Sequence, residues 1–335
     1  MSKTKIAING LGRIGRMVFR QMFEEDTIEV AAINASYPTE TLAHLIKYDS
    51  VHGPFERDIT VTDKGLRIDN HKIAHVNSRD PRQLPWKEKD IDIVIEATGQ
   101  FTEKEAALAH VEAGAKKVII TAPGKNVDRT IVYGVNEHEY DAEKDIVISN
   151  ASCTTNCLAP VVKVLDDAFG IENGLMTTIH AFTTDQHNLD NPHKDLRRAR
   201  GCTQSIIPTS TGAAKALSEV LPHLSGKLHG MALRVPTPNV SLVDLVVDVS
   251  EDVTKEKINK VFQKVASEEM KGIIDYNEEP LVSIDYTTTE SSAIIDSLST
   301  IVLEDRKVKV LAWYDNEWGY SNRIVDLARY VSKTL

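Results

Sequence analysis

KIAINGLGRIG, residues 5–15, is the stretch that decides the fold of the amino-terminal half of this chain. A short apolar strand runs directly into three glycines at the spacing G-x-G-x-x-G, and a helix-like run follows. Gly10 permits a tight turn, Gly12 lets the backbone approach a pyrophosphate, and Gly15 lets the helix pack closely on the strand. The start of the helix then faces the phosphate charge. This context predicts dinucleotide binding, and the alternative is a structural glycine turn.

Strand-like and helix-like runs alternate over the first 150 residues. Strands are predicted over 5–9, 28–34, 91–97, 117–121 and 146–149, helices over 11–23 and 103–113, a helix start at 38–40, and short antiparallel strands within 55–77. Such alternation is typical of an α/β fold whose parallel strands are joined by right-handed crossovers. We therefore predict a doubly wound Rossmann sheet.

The pattern changes after residue 152. A helix is predicted over 154–169, and we expect Pro160 to kink it or to remove one hydrogen bond. Long β segments at 175–183, 227–235, 240–249, 293–303 and 307–314 follow, and an amphipathic helix is predicted over 317–333. The second part is therefore predicted to be α+β with a mostly antiparallel sheet.

Composition excludes several classes of protein. The chain has 335 residues, of which 41% are hydrophobic and 26% charged, which is enough for two domains with sizeable cores. A formal net charge of −10 argues against specific nucleic-acid binding. The three cysteines form no disulfide framework and no metal-ligand pattern. With neither a signal-peptide pattern nor a long apolar run, we expect a cytoplasmic protein without a membrane span or a metal.

The choice of coenzyme depends on the stretch after the second predicted strand. NAD sites usually carry Asp or Glu there to bind the ribose 2′-hydroxyl, but residues 31–37 contain no carboxylate. Asn34 cannot repel a 2′-phosphate, and Ser36 or Thr39 could donate a hydrogen bond to one. The sequence therefore favours NADP. The alternative is an NAD enzyme in which Asn34 replaces the acid.

Cys153 is the candidate nucleophile, because it stands at the predicted start of a helix. The free N–H groups and the positive end of the helix dipole there favour a thiolate. His180, in a strand-like segment of the same predicted domain, is the candidate base. The alternatives are a buried structural cysteine and a structural histidine. Cys157, one turn further along, is interpreted as a core residue.

Several residues could bind anions. Ser152 and Thr154 flank the thiol, and residues 209–215 resemble a second helix start with hydroxyls and Gly212. Arg198 and Arg234 could bind phosphate in a fork. The alternatives are ordinary helix capping and solvated charges.

Together these segments resemble phosphorylating glyceraldehyde-3-phosphate dehydrogenases. The motifs that carry the resemblance span nearly the whole chain: INGLGRIGR, ASCTTNCLAP, TTIHAFTTDQ, HKDLRRAR, IIPTSTGAAKA, LRVPTPNVSLVDL and WYDNEWGYSNR. The resemblance implies a dinucleotide-binding domain of residues 1–152 completed by the carboxyl-terminal helix 316–335, and a catalytic domain of residues 153–315. It also implies a homotetramer in which the loop 185–205 lies near a neighbouring subunit's cofactor.

The resemblance also implies roles for individual residues. Cys153 would be the nucleophile and His180 its activating partner. The C3 phosphate of the substrate would be bound by Thr183 and Arg234, and the attacking inorganic phosphate by Ser152, Thr154, Thr211 and Gly212, with Arg198 or a neighbouring arginine close by. The cofactor would be held at the pyrophosphate by Arg13 and Ile14, on the adenosine side by Arg79 and Thr121, and at the nicotinamide carboxamide by Asn316. These residues add to the cofactor-binding candidates of the local pattern, Gly10, Gly12, Gly15 and Asn34.

The implied reaction is the reversible oxidative phosphorylation of glyceraldehyde 3-phosphate to 1,3-bisphosphoglycerate through a cysteine thioester. The common glycolytic members read Asn-Asp after the second strand, whereas this chain reads Asn34-Ala35 and resembles the bacterial NADP-preferring, gluconeogenic branch. The alternatives are an NAD-dependent glycolytic enzyme and an erythrose-4-phosphate dehydrogenase. A thiol hydrolase or acyltransferase and a non-catalytic binding protein are more distant alternatives.

Overall fold

The computed structural model describes residues 3–335, which divide into two compact units. The first unit comprises the residues up to Ile131, together with Glu137–Ala151 and Ser321–Leu335. The second comprises Val132–Asn136 and Ser152–Tyr320. The division after Ala151 lies one residue before the boundary predicted from the sequence.

The first unit is built on one sheet with helices between its parallel strands. Its strands are β1 Thr4–Asn9, β2 Ile28–Asn34, β3 Ile59–Thr62, β4 Gly65–Ile68, β5 His71–Val76, β6 Ile93–Glu96, β7 Lys117–Ile120, β8 Arg129–Thr130 and β9 Val147–Ser149. Its helices are α1 Arg13–Met22, α2 Thr39–Lys47, α3 Lys104–Ala107 and α4 Ala109–Glu112, and it also holds most of α8, Trp318–Ser332.

The strand order β3-β4-β5-β2-β1-β6-β7-β9-β8 confirms the predicted Rossmann architecture. From β5 to β8 the neighbouring strands are parallel, and β3, β4 and β5 form the predicted antiparallel strands. The chain winds outward from β1 in both directions, through β2 on one side and β6 on the other. The crevice at the carboxyl ends of β1 and β6 is therefore the switch point where ligands of such sheets bind.

The second unit packs helices against a mixed sheet. Its strands are β10 Ile171–Ala181, β11 Ile207–Ser210, β12 Leu228–Val235, β13 Ser241–Val249, β14 Ile274–Asn277, β15 Ala293–Asp296, β16 Ile301–Leu303 and β17 Lys307–Tyr314, and its helices are α5 Cys153–Phe169, α6 Ala213–Val220 and α7 Lys255–Ser267. The strand order is β11-β12-β10-β13-β17-β15-β14, with β16 beside β17. Most pairs are antiparallel, while β10–β12 and β14–β15 are parallel. The predicted α+β class is confirmed.

Two element predictions are wrong. The helix predicted over 103–113 is two short helices, α3 and α4, that meet at Leu108. The strand predicted over 293–303 is interrupted, because a 3-10 turn at Ser297–Ser299, capped by the Asp296 side chain, separates β15 from β16.

The helix predicted over 154–169 is confirmed, since α5 runs from Cys153 to Phe169 with Pro160 inside it and buries most of its length. The expected kink or missing hydrogen bond at Pro160 stays a prediction. No helix in residues 3–335 is long and apolar enough to cross a membrane.

Candidate functional site

The glycine loop has the geometry of a phosphate-binding turn. Gly10 has φ +96°, a region that favours glycine. A Cβ on Gly15 would lie 2.0 Å from the Gly10 carbonyl oxygen, so only glycine lets α1 pack this closely on β1. Around Gly12, which immediately precedes α1, a Cβ would meet nothing within 4 Å, and no side chain of the described residues caps the helix. Open space thus adjoins backbone N–H groups at a helix start, which suits a pyrophosphate.

Arg13, Arg79 and Thr121 were predicted to bind the cofactor. The Arg13 guanidinium forms an ion pair with the buried Asp49 carboxylate. The side chain of Arg13 is therefore occupied, and the backbone of Arg13 is the part that can face the glycine loop. Arg79 is exposed beyond β5, and Thr121 follows β7 with its N–H bonded to the Glu96 carbonyl oxygen at 3.0 Å. All three belong to the first unit.

The side chain of Asn34 is used within the sheet. Its Nδ2 donates to Asn9 Oδ1 at 2.6 Å and to the Ser78 carbonyl oxygen at 2.8 Å, while its Oδ1 accepts the Ser78 N–H at 3.0 Å. Both donors of the amide are therefore occupied, and Asn34 positions the strand ends. The next residue, Ala35, is apolar, so no acid follows Asn34 at the end of β2.

A buried polar network beneath the loop was not predicted. Glu96, at the end of β6, accepts hydrogen bonds from Asn9 Nδ2 at 2.5 Å, from the Thr98 N–H at 2.8 Å and from the Thr98 hydroxyl. The Trp86 indole N–H, which can only donate, bonds to His110 Nδ1 at 3.0 Å. His110 Nε2 therefore carries the proton and donates it to Glu96 at 3.0 Å. This network ties the ends of β1 and β6 together at the switch point.

Cys153 occupies the first position of α5 in the second unit. The preceding Ser152 caps the helix, since its Oγ accepts the Thr155 N–H at 3.1 Å. Ala151 has φ +53°, an uncommon conformation for a residue with a side chain, and the chain turns sharply there into the helix. The other two cysteines are buried. Cys153 is thus the only partly exposed thiol in the described residues.

His180 faces the thiol, as the sequence suggested. Its Nε2 lies 3.5 Å from Cys153 Sγ, and its Nδ1 lies 2.7 Å from the Ala181 carbonyl oxygen. Nδ1 also lies 2.8 Å from a guanidinium nitrogen of Arg234, which can only donate, so its two neighbours favour opposite tautomers. In the tautomer with the proton on Nδ1, bonded to the carbonyl oxygen, Nε2 can take a proton from sulfur. Burial, followed by the charge of Arg234, lowers the pKa of His180 to about 3. The imidazole is therefore neutral at physiological pH.

Opposing effects act on the charge state of Cys153. Burial raises the pKa of the thiol above its ordinary value, while the Arg234 charge and hydrogen bonds from Thr154 lower it. The surroundings of the sulfur thus oppose the thiolate that the helix start favours, and Arg234 is the cation that supports it. The helix start was visible in the sequence, but these surroundings were not.

Arg234 connects the imidazole to a hydroxyl. One guanidinium nitrogen lies 2.8 Å from His180 Nδ1 and donates to the Ala181 carbonyl oxygen at 3.0 Å and to Thr183 Oγ1 at 3.2 Å. The Arg234 Nε is buried and has no hydrogen-bond partner within residues 3–335. A cation with an unused donor beside a hydroxyl suits a phosphate.

The structure separates two arginines of the polar loop, Arg198 and Arg200. Arg198 donates to Thr209 Oγ1 at 3.0 Å and to Asp185 Oδ2 at 2.5 Å. Arg200 instead pairs with Asp190 on the surface at 2.7 Å. Burial alone would raise the pKa of Asp185, but the Thr183 hydroxyl and the charges of Arg234 and Arg198 lower it. Asp185 therefore joins the Arg198 group to the Arg234–Thr183 group.

Thr211 and Gly212 start α6, as predicted. The Thr211 hydroxyl accepts the Ala213 N–H at 3.2 Å, and a Cβ on the exposed Gly212 would meet nothing within 4 Å. The Thr154 hydroxyl, by contrast, bonds to the buried Tyr314 hydroxyl at 3.0 Å. Thr154 thus offers its backbone more readily than its side chain to a ligand.

Tyr314 was not predicted from the sequence. Its hydroxyl also bonds to Thr178 Oγ1 at 2.8 Å, and its ring packs edge-on against the His180 ring. Burial raises its pKa well above the ordinary value. Tyr314 therefore acts as a neutral hydrogen-bonding partner that holds α5 and β10 together beneath the thiol.

Asn316, the predicted carboxamide ligand, is buried just beyond the end of β17 and bonds to Ser241. The described residues contain no cluster of His, Cys, Asp and Glu side chains that could hold a metal ion.

Comparisons with known proteins match both units. The family model described as the NAD binding domain of glyceraldehyde 3-phosphate dehydrogenase matches residues 4–104, and the model of the C-terminal domain matches residues 152–316. A Bacillus subtilis protein named glyceraldehyde-3-phosphate dehydrogenase 2 is 67% identical over 330 residues, which cover 98% of this chain and 97% of that protein. Proteins of the same name from Staphylococcus aureus and Staphylococcus epidermidis are 59% and 57% identical, each over 99% of this chain and 97% of their own length.

Proposed function

Because the chain belongs to the glyceraldehyde-3-phosphate dehydrogenase family, a family of NAD(P)-dependent oxidoreductases, we propose that it oxidises and phosphorylates glyceraldehyde 3-phosphate through a thioester on Cys153. The observation that carries this proposal is the pair of Cys153 Sγ and His180 Nε2 at 3.5 Å, in which Cys153 is a partly exposed residue and the imidazole is neutral.

The first step is addition of the sulfur to the aldehyde. Cys153 attacks the carbonyl carbon and a carbon–sulfur bond forms, while His180 Nε2 takes the thiol proton and returns it to the oxygen, so that a hemithioacetal results. The nicotinamide, when bound, supplies the hydride acceptor for the next step. As hydride leaves carbon, His180 takes the hydroxyl proton, and the product on Cys153 is a thioester. Inorganic phosphate then attacks this thioester, so the acyl phosphate leaves and the sulfur is released.

Substrate binding is coupled to the base. We assign the C3 phosphate to Arg234 and Thr183, because the guanidinium donates to the threonine hydroxyl and keeps a buried Nε without a partner. A phosphate dianion there offsets the positive charge next to His180, which makes the imidazole more basic when substrate is bound. The attacking phosphate is assigned to the start of α6 at Thr211 and Gly212, with Ser152, the Thr154 N–H and Arg198 as further donors.

The experiment that tests this function follows reduced coenzyme with glyceraldehyde 3-phosphate, with and without inorganic phosphate. We expect turnover that needs phosphate, and Cys153→Ser should lose it. Cys202→Ser is the matched control, because Cys202 is buried and should leave turnover unchanged. Turnover that releases a free acid without phosphate would favour an erythrose-4-phosphate dehydrogenase, and full activity of Cys153→Ser would refute the thioester.

We propose NADP as the preferred coenzyme, with NAD as the weaker one. The support is Ala35, which places no negative charge where a 2′-phosphate would approach, and Asn34, whose donors are occupied in the sheet. Thr39 at the start of α2 offers a hydroxyl nearby in sequence, bonded to His75 at 2.8 Å. Ala35→Asp should invert the ratio of kcat/KM for the two coenzymes toward NAD. A wild-type preference for NAD would contradict the proposal.

We propose that the enzyme works in the reductive, gluconeogenic direction, because an NADP-preferring enzyme uses the reduced coenzyme. Rates measured in both directions with each coenzyme would test this proposal.

We also propose a homotetramer. Its support is the exposure of Leu189, Leu196 and Ile206 in and beside the 185–205 loop. Light scattering should give about four times the chain mass, and a monomer would contradict this.

A further inference from the structure

A groove of about 880 Å³ lies along the antiparallel edge of the sheet in the first unit. It is lined by residues of β2, β4 and β5, by the end of β3 with the turn that follows it, and by the loop before β6. Part of its wall is apolar, because Ala31, Ala74 and Val76 line it and pack on the buried cluster around Trp86. None of the residues assigned to the coenzyme lines it. The groove is therefore distinct from the coenzyme site.

Four cations and one carboxylate of the described residues line this groove. The cations are Lys64, Arg67, Lys72 and Lys89, and the carboxylate is Asp63. The first three cations are exposed, and none of the four forms an ion pair or a side-chain hydrogen bond within residues 3–335. On a chain with a formal net charge of −10, the groove is thus a local excess of unpaired positive charge. A concave basic surface of this kind attracts anions.

Two of these cations are placed against each other by the strand register. Arg67 and Lys72 are directly opposed across the antiparallel pair of β4 and β5. Their Cβ atoms are therefore about 5 Å apart, a separation at which like charges destabilise a sheet. Asp69, in the turn that joins the two strands, pairs instead with Arg57 at 3.1 Å. An anion bound between the two cations would relieve their repulsion.

We propose that this groove is a second anion site, which binds the polyphosphate group of a small molecule such as a nucleoside triphosphate. Its cations come from three separate segments, namely the turn before β4, the β4–β5 pair and the loop before β6. Cations spread in this way can surround a chain of phosphates, whereas a single phosphate would contact only some of them. The apolar wall leaves room for a flat ring beside the phosphates. The net charge of −10 disfavours a long polyanion such as a nucleic acid.

The test is titration calorimetry at low ionic strength, with inorganic triphosphate as one probe and ATP as the other. The protein is first saturated with NADP, so that the glycine loop is occupied. Arg67→Gln/Lys72→Gln removes the opposed pair of cations. Lys125→Gln/Lys144→Gln is the matched control, because it makes the same change in net charge at two exposed lysines of the same unit that are already ion-paired.

Wild type and the matched control should bind both probes. Arg67→Gln/Lys72→Gln should bind them at least about tenfold more weakly, because two charge-assisted contacts are lost. Lys89→Gln should also weaken binding, since it removes a cation from a different segment of the groove. Arg234→Leu should keep this binding event, because Arg234 lies in the second unit at the thiol site. Equal affinity for the two probes would assign recognition to the phosphates alone, and tighter binding of ATP would add a contact with the nucleoside.

The proposal is overturned if wild type binds neither probe, or if Arg67→Gln/Lys72→Gln binds both with wild-type affinity. Loss of binding in the matched control would also overturn it, because binding would then follow net charge and not the groove. Turnover of glyceraldehyde 3-phosphate by Arg67→Gln/Lys72→Gln, measured without triphosphate, should equal that of wild type. The site and the proposed function therefore stand or fall separately.

Discussion

Replacement of Arg234 by leucine should slow the reaction of Cys153 with alkylating agents. The guanidinium lies 2.8 Å from His180 Nδ1, and the opposite ring nitrogen lies 3.5 Å from Sγ. Adding the width of the imidazole places the charge about 8 Å from the sulfur, where Coulomb's law gives about 2 kcal/mol at an effective dielectric of about 20 and about 0.5 kcal/mol in water. This range corresponds to about 0.4 to 1.5 pKa units.

Removing the cation should therefore raise the pKa of Cys153 further, since Arg234 is the charge that lowers it. Below that pKa, the thiolate fraction and the alkylation rate should fall by about 3- to 30-fold at a fixed pH. The assay is the rate of iodoacetamide incorporation across a pH series, with the modified peptide identified by mass spectrometry. Cys157 and Cys202 are buried and should stay unmodified in the folded protein.

Arg200→Leu is the control, because this arginine is paired with Asp190 at the surface. It should leave the alkylation profile unchanged. If Arg234→Leu alkylates with the wild-type profile, or faster at every pH, the electrostatic reasoning about the thiol is refuted.

Three further substitutions test the buried polar groups. Tyr314→Phe should lower the free energy of unfolding by about 1–2 kcal/mol in denaturant titrations, since two threonine hydroxyls lose their partner, and an unchanged value would contradict this role. Ion pairing with Arg13 and backbone hydrogen bonds lower the pKa of Asp49 despite its burial, so the ionised form stabilises the fold at neutral pH and this stabilisation is lost as pH falls. Asp49→Asn should lower the free energy of unfolding by about 2–3 kcal/mol at pH 7 and flatten its decline below about pH 5. A decline as steep as in the wild type would contradict this prediction. Glu96→Gln should destabilise the fold by about 2–3 kcal/mol and weaken coenzyme binding. The reason is that the new amide N–H would face other donors, including the fixed Nε2 proton of His110. Wild-type coenzyme affinity in titration calorimetry would argue against this prediction.

The parts predicted well from the sequence are those governed by local spacing. The three glycines after an apolar strand led to the observed turn at Gly10 and the close packing at Gly15, because both requirements act within a few residues. The start of α5 at Cys153 and the start of α6 were visible for the same reason.

The parts that could not be predicted depend on residues far apart in the chain. His110 lies in a short helix and meets Glu96 only after the sheet has formed, and Tyr314 reaches the thiol site from the far end of β17. The burial that raises the pKa of Cys153 is likewise a property of the folded unit. The partners of the Asn34 side chain, Asn9 and Ser78, likewise cannot be identified from its own surroundings in sequence.

The thioester on Cys153 is tested most directly by one rapid-mixing measurement. Enzyme is mixed with glyceraldehyde 3-phosphate and NADP in the absence of inorganic phosphate, reduced coenzyme is followed by absorbance, and the quenched protein is analysed by mass spectrometry. We predict a burst of one reduced coenzyme per chain and one added phosphoglyceroyl group on the peptide that contains Cys153. Steady turnover without a burst, or an unmodified Cys153 after the burst, would contradict covalent catalysis by this residue.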